Sequence, residues 1–251
     1  MANRKFCTAF CLALNLIACL ALTTSLGAGA SNSQLLQGRV EEIFNDPNLK
    51  VPVELRAVAL KLDVPVASGP HIVRLELKSF PATMRGEWKG NLTINKNVFS
   101  DSYAKTESED MLAEQQNLPV GKLAEAFFRF STPRAGLLSM DPPVVRCGYT
   151  YISIADFESD HYVRTGGREK ITLKLLKNEV RMLAPNIAEQ DMYVRESWRD
   201  RNTGKPVVTV TETVYRFTKN RPFELGVEMA AVTYAPNGLW WTKILLQGTL
   251  H

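Results

Sequence analysis

The sequence predicts a mainly β protein: an antiparallel β-sandwich or open barrel with one or two packed helices. Segments rich in β-branched and aromatic residues follow one another from residue 144 almost to the C-terminus. Turn signals such as Pro236-Asn237-Gly238 separate them, and strands joined by tight turns pair antiparallel. No alternation of strands with crossover helices is visible, which argues against a parallel α/β sheet.

The first element expected after residue 30 is a short helix. Leu36, Val40, Ile43 and Phe44 recur at helical spacing, and the polar sequence at 45–47 ends the pattern. From Leu49 the periodicity changes to that of strands. Alternating apolar residues at 51, 53 and 55 predict a strand, and further strands are predicted over 57–64, 71–80 and 84–99.

The stretch around residues 100–120 is polar and predicts an insertion in the domain. A second helix is predicted next, because Leu123, Phe127 and Phe130 fall on one helical face; a strand over 127–131 is the alternative. Six strands then complete the domain, over residues 144–157, 170–183, 192–199, 207–218, 223–234 and 239–250.

The N-terminus has the layout of a secretory signal peptide. Arg4 and Lys5 precede an apolar stretch that ends in Ala28-Gly29-Ala30, a small-x-small cleavage pattern. We therefore expect residues 1–30 to be removed, leaving a single β-rich domain over 31–251 that is periplasmic or secreted.

Two alternatives to simple cleavage remain open. Leu16-Ile17-Ala18-Cys19 resembles the bacterial lipobox, in which the cysteine becomes the lipidated first residue, so Cys19 is an alternative lipidation site. The apolar stretch also approaches the roughly 20 residues that span a bilayer, so an uncleaved anchor is the second alternative. Either one would attach the protein to a membrane.

Charge and cysteine usage exclude some classes of function. The chain carries a net charge of +4, and two of those charges belong to Arg4 and Lys5 in a segment without acidic residues. The remaining domain is nearly neutral, which argues against nucleic acid as a partner. Three of the four cysteines lie in the export segment, so only Cys147 is left and no internal disulfide is expected. A buried thiol is predicted for Cys147, with a reactive thiol as the alternative.

One acidic cluster is a candidate metal site. Asp156, Glu158 and Asp160 would share one face of a strand, with His161 beside them, and carboxylates suit a hard cation such as calcium. The alternative is a solvated end of a strand. No cofactor other than this calcium ion is expected.

The second candidate site is aromatic. Trp240 and Trp241 are adjacent and so face opposite sides of a strand, and Tyr234 lies across the hairpin. An outward-facing ring there could bind a sugar, a lipid or a protein; the alternative is an amphipathic ring at the edge of the sheet with no ligand. Catalytic signatures are lacking: the sequence has no Gly-x-Ser-x-Gly elbow, and its three histidines are too isolated for a three-histidine zinc site.

These features favour a non-catalytic envelope or secreted protein that binds a protein partner or supports a surface assembly. One alternative is a carrier of a lipid or other apolar ligand, its cavity lined by Phe217, Phe223, Met229, Trp240 and Leu245. The other is a metal-assisted hydrolase that uses the cluster at 156–161.

Overall fold

The described part of the chain is dominated by one antiparallel sheet. The computed structural model describes residues 38–59, 80–103, 118–134, 137–141, 143–148, 150–154, 161–163, 170–199 and 204–251. The strands are β1 (Gly86–Phe99), β2 (Leu123–Arg134), β3 (Leu137–Met140), β4 (Val144–Cys147), β5 (Thr150–Ile154), β6 (His161–Val163), β7 (Lys170–Ala184), β8 (Ile187–Arg199), β9 (Pro206–Arg221), β10 (Glu224–Tyr234) and β11 (Trp240–Leu250). The helices are α1 (Arg39–Asn45), α2 (Val53–Ala59) and a 3-10 turn at Ala82–Met84.

Distant parts of the chain meet at the middle of the sheet. The strand order is β5-β4-β2-β1-β11-β10-β9-β8-β7-β6, with β3 paired to β2. The last strand therefore pairs with the first, and Thr93 lies opposite Gln247. From β11 back to β6, every strand pairs with its sequence neighbour, as hairpin-connected strands do. The sheet curls into a half-barrel with few helices. This confirms the predicted mainly β class with few helices.

The predicted hairpin at the end of the chain is present. The Gly238 backbone has a φ of 81°, the left-handed conformation that glycine adopts without strain. The amide of Leu239 donates to Asn237 Oδ1 at 3.0 Å, and that of Ala235 donates to the carbonyl of Leu239 at 2.8 Å. This turn sets the register that places Tyr234 opposite Trp240.

One face of the sheet is covered by an aromatic core. Phe128 and Phe217 are fully buried and Phe130 is nearly so. The Phe217 ring meets the other two edge to face, with centroids 5.3 and 5.2 Å apart. Phe80 adds a further edge-to-face contact to Phe130 at 5.0 Å. Such interlocking rings contribute beyond the area that they bury.

The opposite face is covered in part by α1. Val40 and Ile43 of this helix are buried in a second apolar cluster, with Val214 of β9 and Ala230 of β10 among its members. Helix α1 therefore crosses the central strands. The charged residues of those strands lie around and beneath it.

The helix predicted at Leu123–Phe130 is wrong, and the strand alternative is right. The segment belongs to β2, where Ala124, Ala126, Phe128 and Phe130 are all buried. These residues recur every second position, so a strand buries them all on one face, whereas a helix would bury only part of the set.

The strand predicted at 51–55 is also wrong, and so is the described part of the strand predicted at 57–64, because α2 spans Val53–Ala59. Pro52 precedes it, and the amides of Leu55 and Arg56 both donate to the Pro52 carbonyl, at 3.0 and 3.2 Å. Proline holds φ near the helical value and so favours the first helical turn. The predicted polar insertion lies largely outside the described residues, as does the predicted strand at 71–80. No helix in the described part of the chain is both long and apolar enough to cross a membrane.

Candidate functional site

The face of the sheet that carries α1 also carries a network of charged side chains. In β8 and β9, alternate residues point to this face, and the register places Glu189 opposite Arg216 and Tyr193 opposite Glu212. Both carboxylates have side chains with no exposed surface. Buried charges of this kind require close partners of opposite charge.

Glu212 is held by α1 and by β10. Arg39 donates to it through Nε at 2.6 Å and Nη2 at 3.2 Å, and the hydroxyl of Tyr234 donates as well. Burial by itself would lower the pKa of Arg39, but the hydrogen bond and charge of Glu212 outweigh it and leave that pKa raised. Burial, and then the charge of Glu212, raise the pKa of Tyr234 far above its usual value. Arg39 therefore stays charged and Tyr234 stays a donor.

Glu189 forms a second anchor beneath α1. It accepts from Arg181 Nη2 at 2.5 Å, from Arg216 Nη2 at 3.1 Å and from the backbone amide of Arg39 at 3.0 Å. Arg216 also reaches Glu41 of α1, at 2.5 Å. Two sets of ion pairs thus tie the helix to the sheet, and they hold Arg39 at the edge of a pocket.

This pocket has a volume of about 310 Å³ and lies where α1, β7 and β8 meet. We call it the Asp191 pocket. Its walls combine cations, carboxylates, a phenol ring and two apolar residues: Arg39, Pro52, Lys177, Glu179, Val180, Arg181, Asp191 and Tyr193. Its volume is near the lower end of the range for ligand sites.

The register of β7 and β8 sets two carboxylates face to face in the Asp191 pocket. Glu179 lies directly opposite Asp191. Like charges in this position destabilise a sheet. Lys177 lies between them, its Nζ 3.1 Å from Glu179 and 3.8 Å from Asp191. The same ammonium lies 5.7 Å from the centroid of the Tyr193 ring. The pocket therefore already surrounds one ammonium with two carboxylates and a ring.

Of the two facing carboxylates, Asp191 has the weaker contact with the Lys177 ammonium. Burial, and then the charge of Glu212, raise its pKa to about 7, although Lys177 and Arg39 oppose the shift. Its Oδ1 is buried and has no hydrogen-bond partner in the described part of the structure. The Lys177 contact, at 3.8 Å, is longer than a hydrogen bond. Asp191 thus changes charge near neutral pH, and it lines a pocket.

The charges around the pocket do not balance when Asp191 is ionised. The lining cations are Arg39, Lys177 and Arg181. The lining carboxylates, together with the carboxylates ion-paired to these cations, are Glu42, Glu179, Glu189, Asp191 and Glu212. Among the described residues, carboxylates remain in excess when Arg216 is added with its partners Glu41 and Glu228. The site can take up either a proton or another cation.

The predicted aromatic residues lie elsewhere on the sheet. Tyr234 is fully buried, so its ring does not face solvent. Trp240 is half-buried, donates its indole N–H to the Pro47 carbonyl at 2.9 Å, and has Lys243 Nζ 4.4 Å from its ring centroid. Trp241 is half-buried and lies against Tyr103, with centroids 6.0 Å apart. Both tryptophans thus pack against neighbouring side chains, and neither lines the Asp191 pocket.

The predicted acidic cluster lies mostly outside the described residues. This applies to Asp156, Glu158 and Asp160, whereas His161 begins the short strand β6. Within the part of the chain that is described, no group of three or more metal-binding side chains comes together. Cys19 also lies outside the described residues. Cys147 is buried, and its thiol donates to the Leu123 carbonyl at 3.4 Å.

The residues named for an apolar cavity do not meet. Phe217 and Met229 belong to the aromatic core, whereas Leu245 and Trp240 belong to the cluster under α1 on the other face. Phe223 is 82% exposed at a turn. These five residues are alike in being apolar, but residue type alone does not place them in one cavity.

Sequence reasoning missed the Asp191 pocket altogether. A signal was present: charged residues occupy alternate positions at 177, 179 and 181, inside the strand predicted at 170–183, and again at 189 and 191, just before the strand predicted at 192–199. Such alternation is usually that of a solvated face. Here α1 covers part of that face and turns surface charges into buried ones.

The comparisons with known proteins give no relative for this chain. No family model matches it, nor does any curated protein or any solved structure.

Proposed function

We propose that the protein is an exported, non-catalytic binding protein and that its ligand occupies the Asp191 pocket. The observation that carries the proposal is Asp191 itself, a largely buried carboxyl group with a pKa of about 7 and an unpartnered oxygen. Leaving a buried polar group without a partner costs stability, and such costs concentrate at functional sites. A ligand that supplies the missing partner would offset this cost.

The construction of the pocket supports a polar ligand. Most of the lining residues belong to the paired strands β7 and β8. The buried carboxylates Glu189 and Glu212 form ion pairs with the lining residues Arg181 and Arg39. A site on rigid elements with supporting ion pairs holds its polar groups in fixed positions, as specific binding requires. Five of the lining side chains are charged, which makes the pocket a poor host for a lipid chain.

The proposal of export depends on the N-terminal sequence. Arg4 and Lys5, the apolar stretch and Ala28-Gly29-Ala30 favour a protein released into the periplasm or the medium. Intact mass measurement after expression of the full chain would test this. A first residue of Ser31 supports release, a lipidated Cys19 supports membrane attachment by lipid, and an intact N-terminus supports an anchor.

The binding function is tested by native mass spectrometry of protein purified gently from its own envelope or medium. We expect the wild-type protein to retain a small bound mass that Asp191→Asn loses. Asp141→Asn is the matched control, because Asp141 is also a partly exposed aspartate beside a cation, 25% exposed against 18% for Asp191.

Two results would contradict the proposal. If Asp191→Asn retained the same bound mass as the wild type, the binding site would lie elsewhere. If the purified protein turned over a substrate and Asp191→Asn abolished the turnover, Asp191 would be an acid–base catalyst, a role for which a pKa near 7 is suitable.

A further inference from the structure

The Asp191 pocket already contains one example of a bound cation. The ε-ammonium of Lys177 lies between Glu179 and Asp191, at 3.1 and 3.8 Å, and 5.7 Å from the centre of the Tyr193 ring. Carboxylates together with an aromatic ring are the groups that recognise alkylammonium ions. Lys177 does not fully satisfy them, because Asp191 Oδ1 stays buried without a hydrogen-bond partner.

The remaining cations at the pocket are committed to other carboxylates. Arg39 is paired with Glu212 at 2.6 Å and with Glu42 at 3.1 Å. Arg181 is paired with Glu189 at 2.5 Å. Neither forms an ion pair with Asp191, although the charge of Arg39 lowers the pKa of Asp191, and the described residues of this region include more carboxylates than cations. An additional positive charge is therefore what the site lacks.

We infer that the Asp191 pocket binds a small organic monocation of the alkylammonium class, which displaces Lys177 from between Glu179 and Asp191 and pairs with both carboxylates. This inference rests on the proposed binding function and specifies the charge of the ligand. The volume of about 310 Å³ is near the lower end of the range for ligand sites and therefore suits a small amine.

Binding of such a cation requires Asp191 in its ionised form, so a proton is released wherever Asp191 is protonated in the free protein. The charged or titratable groups around Asp191 come from every element packed against it: Arg39 and Glu42 on α1, Lys177, Glu179 and Arg181 on β7, Glu189 and Tyr193 on β8, and Glu212 on β9. With the pKa of Asp191 at about 7, the ionised fraction falls about tenfold between pH 8 and pH 6. We expect the affinity to fall about tenfold as well.

The test is calorimetric titration of protein purified after expression of the full chain. The probes are n-butylammonium, n-butyrate and n-butanol, which each have four carbon atoms and differ in charge. We expect saturable binding of n-butylammonium alone, about tenfold weaker at pH 6 than at pH 8, with proton uptake by the buffer. A lysine-containing pentapeptide with an acetylated N-terminus and an amidated C-terminus, Gly-Gly-Lys-Gly-Gly, separates a free amine from a lysine side chain of a partner protein. Binding of either supports the inference, and the tighter probe identifies the source.

Two variants should change the affinity for n-butylammonium in opposite directions, which a merely structural role of the two residues would not predict. Lys177→Met removes the internal competitor but also the charge that lowers the pKa of Asp191, so it should strengthen n-butylammonium binding at pH 8, where Asp191 is most ionised. Lys89→Met is the matched control, because Lys89 also pairs with a glutamate two residues away, at 3.2 Å, and lies near an aromatic ring, Phe127, at 5.1 Å. Asp191→Asn should abolish binding, while Asp141→Asn should preserve it.

Other outcomes overturn the inference. Saturable binding of n-butyrate that weakens in Lys177→Met would show an anion site. No binding of any ammonium probe, or n-butylammonium binding that is equal at pH 6 and pH 8, would also contradict it. The proposed binding function would survive these results if native mass spectrometry still showed a bound mass that depends on Asp191. If Asp191→Asn failed to fold, Lys177→Met and the pH dependence of the wild type would still decide.

Discussion

Replacing Asp191 by Asn should make the folded protein more stable at pH 8 and leave its stability nearly unchanged at low pH. The pKa of Asp191 rises from 3.8 to about 7 on folding, so the folded state binds more protons than the unfolded state between these values. The stability that this carboxyl contributes is therefore fully present below pH 3.8 and is lost as the pH rises through 7. Asparagine keeps the shape of the neutral acid and does not ionise.

The magnitude follows from the same two pKa values. Between pH 5 and pH 8 the wild type should lose ~2.6 kcal/mol of unfolding free energy through Asp191, an upper value because surrounding groups relax. The side chain is 18% exposed, so solvent screening is limited. The difference in stability between Asp191→Asn and wild type should grow by up to this amount over that range.

Urea denaturation at pH 5 and pH 8, followed by tryptophan fluorescence, measures the difference directly. Asp141→Asn is the control, because it removes a carboxylate that accepts a hydrogen bond from Ser131 at 2.7 Å and is paired with Arg129. It should destabilise the protein at both pH values. A stability difference for Asp191→Asn that is the same at pH 5 and pH 8 would refute the reasoning, because Asp191 would then not be the group that titrates.

Three further predictions concern the rest of the fold. Glu212→Gln removes the charge that pairs with Arg39 under α1, so the unfolding free energy should fall by about 3–5 kcal/mol in urea denaturation; a loss below about 1 kcal/mol would contradict the buried ion pair. Gly248→Ala should lower the unfolding free energy by about 1–3 kcal/mol, because the added Cβ would lie 2.5 Å from a backbone oxygen on β1. Gly226→Ala, whose Cβ would have its nearest atoms at 3.5 Å, should lower it clearly less, and equal losses would count against the close packing of β11 on β1. Cys147 is buried, so an aromatic disulfide reagent should modify its thiol only as fast as the protein unfolds, and rapid modification of the native protein would show that the thiol is accessible.

Much of the β architecture could be read from local sequence. Alternating side chains and the Asn237-Gly238 turn predicted the strands of the second half and the last hairpin, because both features act over a few residues. The two wrong elements failed for local reasons too. At 123–130, the aromatic residues match both helical and strand spacing, and only burial on the sheet decides between them. At 53–59, apolar alternation favours a strand, but Pro52 just before this segment also favours the start of a helix.

The aromatic prediction at Tyr234, Trp240 and Trp241 shows a different limit. Sequence placed Tyr234 and Trp240 across a hairpin, and the register bears this out. It could not show that the Tyr234 hydroxyl is taken by Glu212, a residue on a neighbouring strand. Whether an aromatic side chain is available to a ligand depends on partners that lie far away in the chain.

By itself, the sequence determined the mainly β class and the last hairpin, and it predicts an export signal whose removal would leave a near-neutral domain with a single cysteine. Only the tertiary structure decided that β1 pairs with β11, that Glu179 faces Asp191, and that α1 covers the charged face of β8 and β9. The physical reason is the distance along the chain between the residues that interact. Strand formation follows from spacing within a segment, whereas the pKa of Asp191 depends on burial and on charges from α1, β7 and β9, which come together only when the whole sheet has formed.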